Sequence, residues 1–312
     1  MPRVNNGKTT KTSGLLMKRI KKNTSVYLIF LPTLLYYFIF KYIPMFGTVI
    51  AFQDYSITKG FFGSEFIGLE HFRTFLSNYK FFELLRNTLV ISGLNLLLGF
   101  PAPIIFALLL NETKHFRFKK AVQTITYMPH FISMVVICGI IRDFTKDTGV
   151  ITQMLMKMGI ETGTMLSKPN LFLPIYILSD IWQETGWNAI IYMAALAGVD
   201  QQLYDAASVD GANGFQKLLY VTIPSIMPTI VIMLILRLGS VLNVGFEKIL
   251  LLYNPGIYET SDVISTYVYR KGLLEFNYSY STAVNLFNSV INFLMLILAN
   301  NFSKKVTEYS LW

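Results

Sequence analysis

The chain predicts an all-α integral membrane protein with six transmembrane helices, and three observations carry that prediction. Apolar residues make up 53% of the 312 and charged residues 14%, against about 25% charged in ordinary soluble domains. Six stretches are apolar and long enough to cross a bilayer core, which takes about 20 residues of helix. Lys and Arg gather in alternate connecting segments, as the orientation rule for membrane helices requires. A mean hydropathy of +0.47 is more apolar surface than a soluble chain of this size hides, so a cytosolic enzyme, a coiled coil and a disordered chain are poor readings. The single cysteine, Cys138, rules out a disulfide framework and a cysteine-cluster metal site. The scattered His71, His115 and His130 argue against zinc chemistry. The net charge of +9 resides in the connecting segments and gives no reason to expect nucleic acid.

The first predicted span covers 25–46, where 23–40 hold no charge. The second is 87–110 and the third 121–141, uncharged apart from His130. The fourth, 171–198, carries Asp180 and Glu184; the fifth, 225–252, carries Arg237 and, near its end, Glu247 and Lys248. The sixth, 281–303, falls in a stretch with no charge from Phe276 to Ser303. Interior prolines (Pro32, Pro101, Pro103, Pro129, Pro174 and Pro228) would break soluble helices, but neighbouring helices in a membrane bundle re-satisfy the freed backbone groups.

Orientation follows from the cations. The first 22 residues hold seven (Arg3, Lys8, Lys11, Lys18, Arg19, Lys21, Lys22) and no acid; 111–120 hold four, and the tail has Lys304 and Lys305. Both termini are therefore expected in the cytoplasm, with the protein multi-pass in the membrane. A basic head before an apolar run also resembles a secretory signal, but this run is long and no small-residue cleavage site follows it. The expected organisation is a cytoplasmic basic segment 1–24, a six-helix transmembrane domain 25–303 containing a loop at 199–224, and a cytoplasmic tail 304–312.

That loop departs from the charge rule. It holds Asp200, Asp205 and Asp210 against one Lys217. Asp200 is placed to cap a short helix, on which Leu203, Ala206, Ala207 and Asp210 share one face. Gly211 and Asn213-Gly214 interrupt it with turn chemistry. A second helical piece follows, with Phe215, Leu218, Leu219 and Thr222 on one face, and Pro224 marks the entry to the fifth span. Periodicity alone leaves two readings open: a loop lying on its own bundle, or a plug for a groove in a separate protein.

Here the residues resemble a family. Importer permeases of the ABC (ATP-binding cassette) superfamily carry E-A-A, three residues, Gly, nine residues, then I-x-L-P. This chain reads Asp205-Ala206-Ala207, Ser208-Val209-Asp210, Gly211, nine residues, then Val221-Thr222-Ile223-Pro224. Each substitution is conservative: Asp for Glu, Val for Ile, Ile for Leu. The stretch LYDAASVDGANGFQKLLYVTIPSIMP looks like the carbohydrate-importing branch, and FEKILLLYNP (246–255) and DVISTYVYRKGL (262–273) resemble the polysaccharide permeases of the LplB group. The resemblance implies a type I importer permease fold with a cytoplasmic coupling helix. It also implies a place in the bacterial plasma membrane and partners: a second permease of different sequence, a cytoplasmic ATPase dimer, an extracellular binding protein and a carbohydrate cargo. On that likeness Leu203, Asp205, Ala206, Ala207, Asp210, Gly211, Ala212, Phe215 and Pro224 couple the bundle to the ATPase. ATP and Mg are expected to be used by that partner, with no cofactor, catalytic residue or metal on this chain. Gly7-Lys8-Thr9 superficially resembles the end of a phosphate-binding loop, but position 2 is proline and no strand precedes it.

Charged side chains inside spans usually face a bundle interior or a water-filled path. The run Asp180-Ile181-Trp182-Gln183-Glu184-Thr185-Gly186-Trp187-Asn188 brings acids, amides and indoles together, the mixture that sugar recognition uses. Related sugar permeases hold substrate on the same span, so Gln183, Glu184 and Trp187, with Asn243 on the fifth span, are the expected path residues. Packing by the indoles and a structural role for Asp180 is the alternative. Arg237 has two readings: an ion pair with Glu184 at similar depth, or contact with an acidic sugar. Asn285, Asn288 and Asn292 share a face of the sixth span and suit interhelical hydrogen bonds. Glu247 and Lys248 are expected near the outer surface. A secondary transporter could also use the intramembrane charges, although no inverted repeat is visible; an importer of a non-sugar solute is the nearer alternative, and a membrane enzyme lacks a catalytic constellation.

Overall fold

Helix accounts for most of the computed structural model, which describes residues 22–307 and 309–311. The basic head apart from Lys22, and Gly7-Lys8-Thr9 with it, lie outside the described residues. Among the described residues the only sheet is a two-stranded hairpin, as an all-α prediction requires. The chain divides into two units, 1–67 and 68–312.

The first unit contains helix α1 (Thr24–Phe52) and the hairpin β1 (Gln53–Asp54) and β2 (Glu65–Phe66), paired antiparallel with Gln53 opposite Phe66. The apolar stretch of α1 has none of its residues buried. A helix apolar all round and exposed all round is stable only in an apolar medium.

The second unit runs α2 (Glu70–Leu76), α3 (Phe81–Glu112), α4 (Phe116–Phe131), α5 (Met134–Thr145), α6 (Val150–Lys157), α7 (Pro169–Ala197), α8 (Gln201–Val209), α9 (Gly214–Leu238), α10 (Phe246–Leu252), α11 (Ile264–Tyr269) and α12 (Tyr278–Thr307). Four helices, α1, α3, α9 and α12, are long and apolar enough to cross a membrane. The fourth predicted span is α7, whose 29 residues suffice in length; its polar centre keeps it out of that apolar set.

Two predicted spans are broken. The third is not one helix: 116–131 and 134–157 meet at 101°. Pro129 supplies no N–H to the ladder and crowds the carbonyl one turn back; Met128–Phe131 is a tightened turn, and Ile132 and Ser133 after it are extended. The fifth starts at Gly214 rather than 225 and stops at Leu238, leaving 239–245 non-helical before α10. The second helical piece of the 199–224 loop is therefore the first three or so turns of this span. Close approaches mark both ends of the break: a Cβ on Gly239 would sit 2.6 Å from Leu296, and one on Gly245 2.7 Å from the Tyr176 hydroxyl. Elsewhere proline is accommodated within the helix. Before Pro101 the turn widens, and Phe100 N–H reaches back to the Asn95 carbonyl at 3.1 Å.

α7 is the central post, packed along α3, α4 and α9. Ala107, Ala189, Tyr192, Leu196 and Ile226 form one core; Ile137, Ile141, Phe172, Tyr176, Ile249 and Leu252 form a second. The segment between α9 and α12 is tied down by Asp262, which is 0% exposed. Arg270 donates to both its carboxylate oxygens, Thr266 donates at 2.7 Å, and the guanidinium lies 4.6 Å from the Tyr258 ring. Burial opposes the Arg270 charge, but the bonds and charge of Asp262 outweigh it and hold its pKa above the ordinary value.

At Gly186, α7 meets α4 so closely that a Cβ would overlap the Thr126 carbonyl. At Gly93 on α3 a Cβ meets nothing. Gly186→Ala should cost about 1–3 kcal/mol through overpacking, whereas Gly93→Ala should be neutral or slightly stabilising. Melting curves of the purified protein distinguish the two, and equal effects would contradict this packing.

Candidate functional site

A cavity of about 450 Å³ lies in the second unit among α3, α7 and the break that follows α9. Asn95 and Ser92 face it from α3; Asp180, Glu184, Thr185 and Asn188 from α7; Arg237, Ser240 and Asn243 from α9 and the break. The α7 wall follows helical spacing, with 180, 184 and 188 one turn apart. The break matters because non-helical backbone at membrane depth is tolerated where it lines a polar cavity.

A chain of polar contacts builds the wall. Lys248, 1% exposed, donates to Asp180 at 3.3 Å and lies 5.3 Å from the Tyr176 ring. Asn95 donates from its amide to the other Asp180 oxygen at 2.7 Å, and its carbonyl accepts from Arg237 at 2.9 Å. Gly99 makes room for Asn95, since a Cβ there would overlap the Asn95 carbonyl oxygen. Across the break, Asn288 and Asn292 of α12 each donate to the Asn243 carbonyl oxygen at 3.1 Å, and Leu242 N–H donates to Asn292 at 3.0 Å. Asn285 is exposed and takes no part in that cluster.

These placements correct several expectations. Arg237 does not pair with Glu184. Because α9 ends at Leu238, Arg237 falls in its last turn and bonds Asn95, while Glu184 contacts His130 at 3.0 Å. Gln183 and Trp187 are not on the cavity wall. Gln183 is buried, and Trp187 stacks on His130 at 4.4 Å and edge-on to Phe131, so it packs α7 against the bend after α4. Lys248 is buried beside Asp180 rather than near a surface. Glu184 and Asn243 lie on the wall. Asn95 and His130 were not among the expected residues. A charge such as Asp180 inside a span requires a partner, and that requirement was the available signal for Lys248.

At the far end of α9 lies the 199–224 loop. Asp200 accepts from Gln202 N–H at 2.9 Å and so caps α8. The helix closes on Gly211, φ +79, with Gly211 N–H bonded to Ser208 and Ala212 N–H to Ala207; this is the paired closure that a left-handed residue permits. Asn213 and Gln216 form a reciprocal capping box that starts α9. Lys217 reaches the Ser208 hydroxyl at 2.7 Å, and Tyr204 meets Thr222 at 3.0 Å, fixing α8 against the root of α9. Leu203, Asp205, Ala206, Asp210, Gly211, Phe215 and Pro224 are exposed; Ala207 and Ala212 are half-buried.

Lys248→Met leaves the half-buried Asp180 carboxylate without its cation and should cost about 1–3 kcal/mol, while adding Asp180→Leu should restore much of the loss. Melting temperatures of the single and double variants measure this, and strictly additive losses would refute the pairing.

The pattern of the Binding-protein-dependent transport system inner membrane component family matches residues 87–308. The chain is 45% identical to Protein LplB of Bacillus subtilis (strain 168) over 297 residues, covering 95% of this chain and 93% of that protein. It is 44% identical over 306 residues to the polygalacturonan/rhamnogalacturonan transport system permease protein YteP of the same organism, covering 98% and 95%. Among solved structures it resembles a bacterial ABC transporter involved in the import of the acidic polysaccharide alginate, with TM-score 0.86, 43% identity and coverage of 94% of this chain and 99% of that one. The same kind of transporter in complex with an alginate pentasaccharide-bound periplasmic protein gives TM-score 0.87 at 42% identity, covering 95% and 99%. By family match and by identity, the chain belongs to the binding-protein-dependent transport system inner membrane components.

Proposed function

We propose that this chain is a path-forming permease subunit of an ATP-driven importer for an oligosaccharide or polysaccharide fragment. The observation that carries the reading is mechanical. The capped, exposed turn at 200–213 leads directly into α9, and the last turns of α9 supply Met233, Leu236 and Arg237 to the cavity wall. A push on the loop is therefore a push on the wall. The partners are a second permease, an ATPase dimer that binds and hydrolyses ATP with Mg, and an extracellular binding protein that delivers the cargo. The carbohydrate assignment rests on the relatives, whose names specify pectic glycans and alginate, and on a cavity rich in amides and hydroxyls beside aromatic residues.

The coupling surface is α8 and the turn after it. Leu203, Ala206, Asp210 and Phe215 are offered outward, and Val209 is 88% exposed. Asp205 and Asp210 give this knob a negative charge, so the groove that receives it carries positive charge. Both termini and this loop face the cytoplasm, on the strength of the basic segments at 1–22, 111–120 and 304–305.

Two measurements test this reading. Gly211→Val forces a β-branched residue into left-handed backbone, at about 1–3 kcal/mol of strain, although a Cβ there meets no neighbour. Uptake by reconstituted complex should be abolished while membrane insertion persists, and full uptake would refute the coupling role. Val209→Cys adds an exposed thiol to a chain whose one native cysteine is buried. A membrane-impermeant maleimide should label it in inside-out vesicles and not in right-side-out cells; the opposite pattern would reverse the orientation.

A further inference from the structure

Every charged group on the cavity wall except one has a charged or potentially charged partner in the chain. Asp180 is bound by Lys248 and Asn95, and Glu184 is turned to His130. Arg237 is the exception. Among the described residues it has no carboxylate within ion-pair distance, and the hydrogen bond found for it runs from Nη2 to Asn95. The side chain is exposed on the wall. Asn95, itself fixed by Asp180 and fitted over Gly99, holds the guanidinium in place and leaves Nε and Nη1 as uncommitted donors. A planar, permanently charged fork with free donors is built to take a carboxylate in a bidentate grip.

Resting on the oligosaccharide reading above, we infer that Arg237 is the specificity-determining residue that receives the carboxylate of a uronic-acid-containing oligosaccharide in the cavity. Its neighbours suit the remainder of such a cargo. Asn188, Ser240 and Asn243 are placed for ring hydroxyls. The Glu184 carboxylate accepts hydroxyl donors, and its tie to His130 keeps it from pairing with Arg237. Because Asp180 and Lys248 cancel one another, the wall offers one uncommitted cation, enough to recognise one uronate residue at a time.

The test uses the full complex, with second permease, ATPase and binding protein, in proteoliposomes. Uptake is measured for oligogalacturonates and oligoalginates beside their methyl-esterified, uncharged counterparts. Arg237→Gln should lower maximal uptake of the charged oligosaccharides by at least about tenfold, the loss of a charge-assisted hydrogen bond. Complex yield should be unchanged, uptake of any esterified form that the wild type carries should fall far less than that of the charged form, and Arg237→Lys should recover part of the charged uptake. Undiminished charged uptake overturns the inference. So does an equal loss for charged and esterified cargo, or a complex that no longer retains its second permease, since the guanidinium would then be holding the bundle or the other permease. Failure of the wild-type complex to take up either form would instead overturn the uronate cargo, and with it this inference, while leaving the ATP-coupled permease reading to the loop variants.

Discussion

The ion pair between buried Lys248 and half-buried Asp180 is the constraint on which the site depends. Neither charge is tolerable alone in a bilayer, and each comes from a segment that a lone helix could not bring to the other. Their contact brings α10 back against α7 after the chain leaves the helix at Leu238, so the break between α9 and α10 becomes a fixed wall. Asn95 and then Arg237 are held in series from the same carboxylate. The second anchor, Asn288 and Asn292 on the Asn243 carbonyl, holds the break from the α12 side. Hydrogen-bonded side chains thus do what regular helix cannot: they keep an unwound segment in one conformation beside an open cavity.

The two ends of α9 have different chemistry. At the loop end, local interactions dominate: the Asp200 cap, the left-handed Gly211 and the Asn213–Gln216 box are all short-range and encoded within a few residues. At the cavity end, the contacts join residues tens of positions apart. A locally encoded turn keeps its shape when a partner presses on it, and a wall cross-linked between separate spans moves with those spans as one piece.

This contrast explains what was legible in the sequence. The all-α membrane class, the Asp200 cap and the turn at Gly211 depend on composition or on neighbours along the chain, and residue types reveal them directly. The Asn288–Asn292 face was readable too, because helical spacing aligned two amides, although Asn285 falls outside the cluster. The bend at Pro129 was harder, since a proline in a span can be absorbed, as Pro174 and Pro228 are, or can break it. Arg237 with Glu184 looked like a pair only while the fifth span was taken as a continuous helix over 225–252. Once the helix begins at Gly214 and ends at Leu238, the two acids of α7 find Lys248 and His130 instead. The aromatic Trp187 illustrates the same limit: an indole near polar residues suits a sugar or a neighbouring helix, and its stacking on His130 decides in favour of the helix.

The Asp180–Lys248 pair also bears on how the protein experiences an energised membrane. A single charge carried across the full transmembrane potential is worth about 2.3 kcal/mol per 100 mV. A cation and an anion that travel together contribute nearly nothing, because the work done on one is returned by the other. As long as α7 and α10 shift as one body, their rearrangement transfers no net charge from this pair through the electric field, and the pair adds no voltage dependence to that movement.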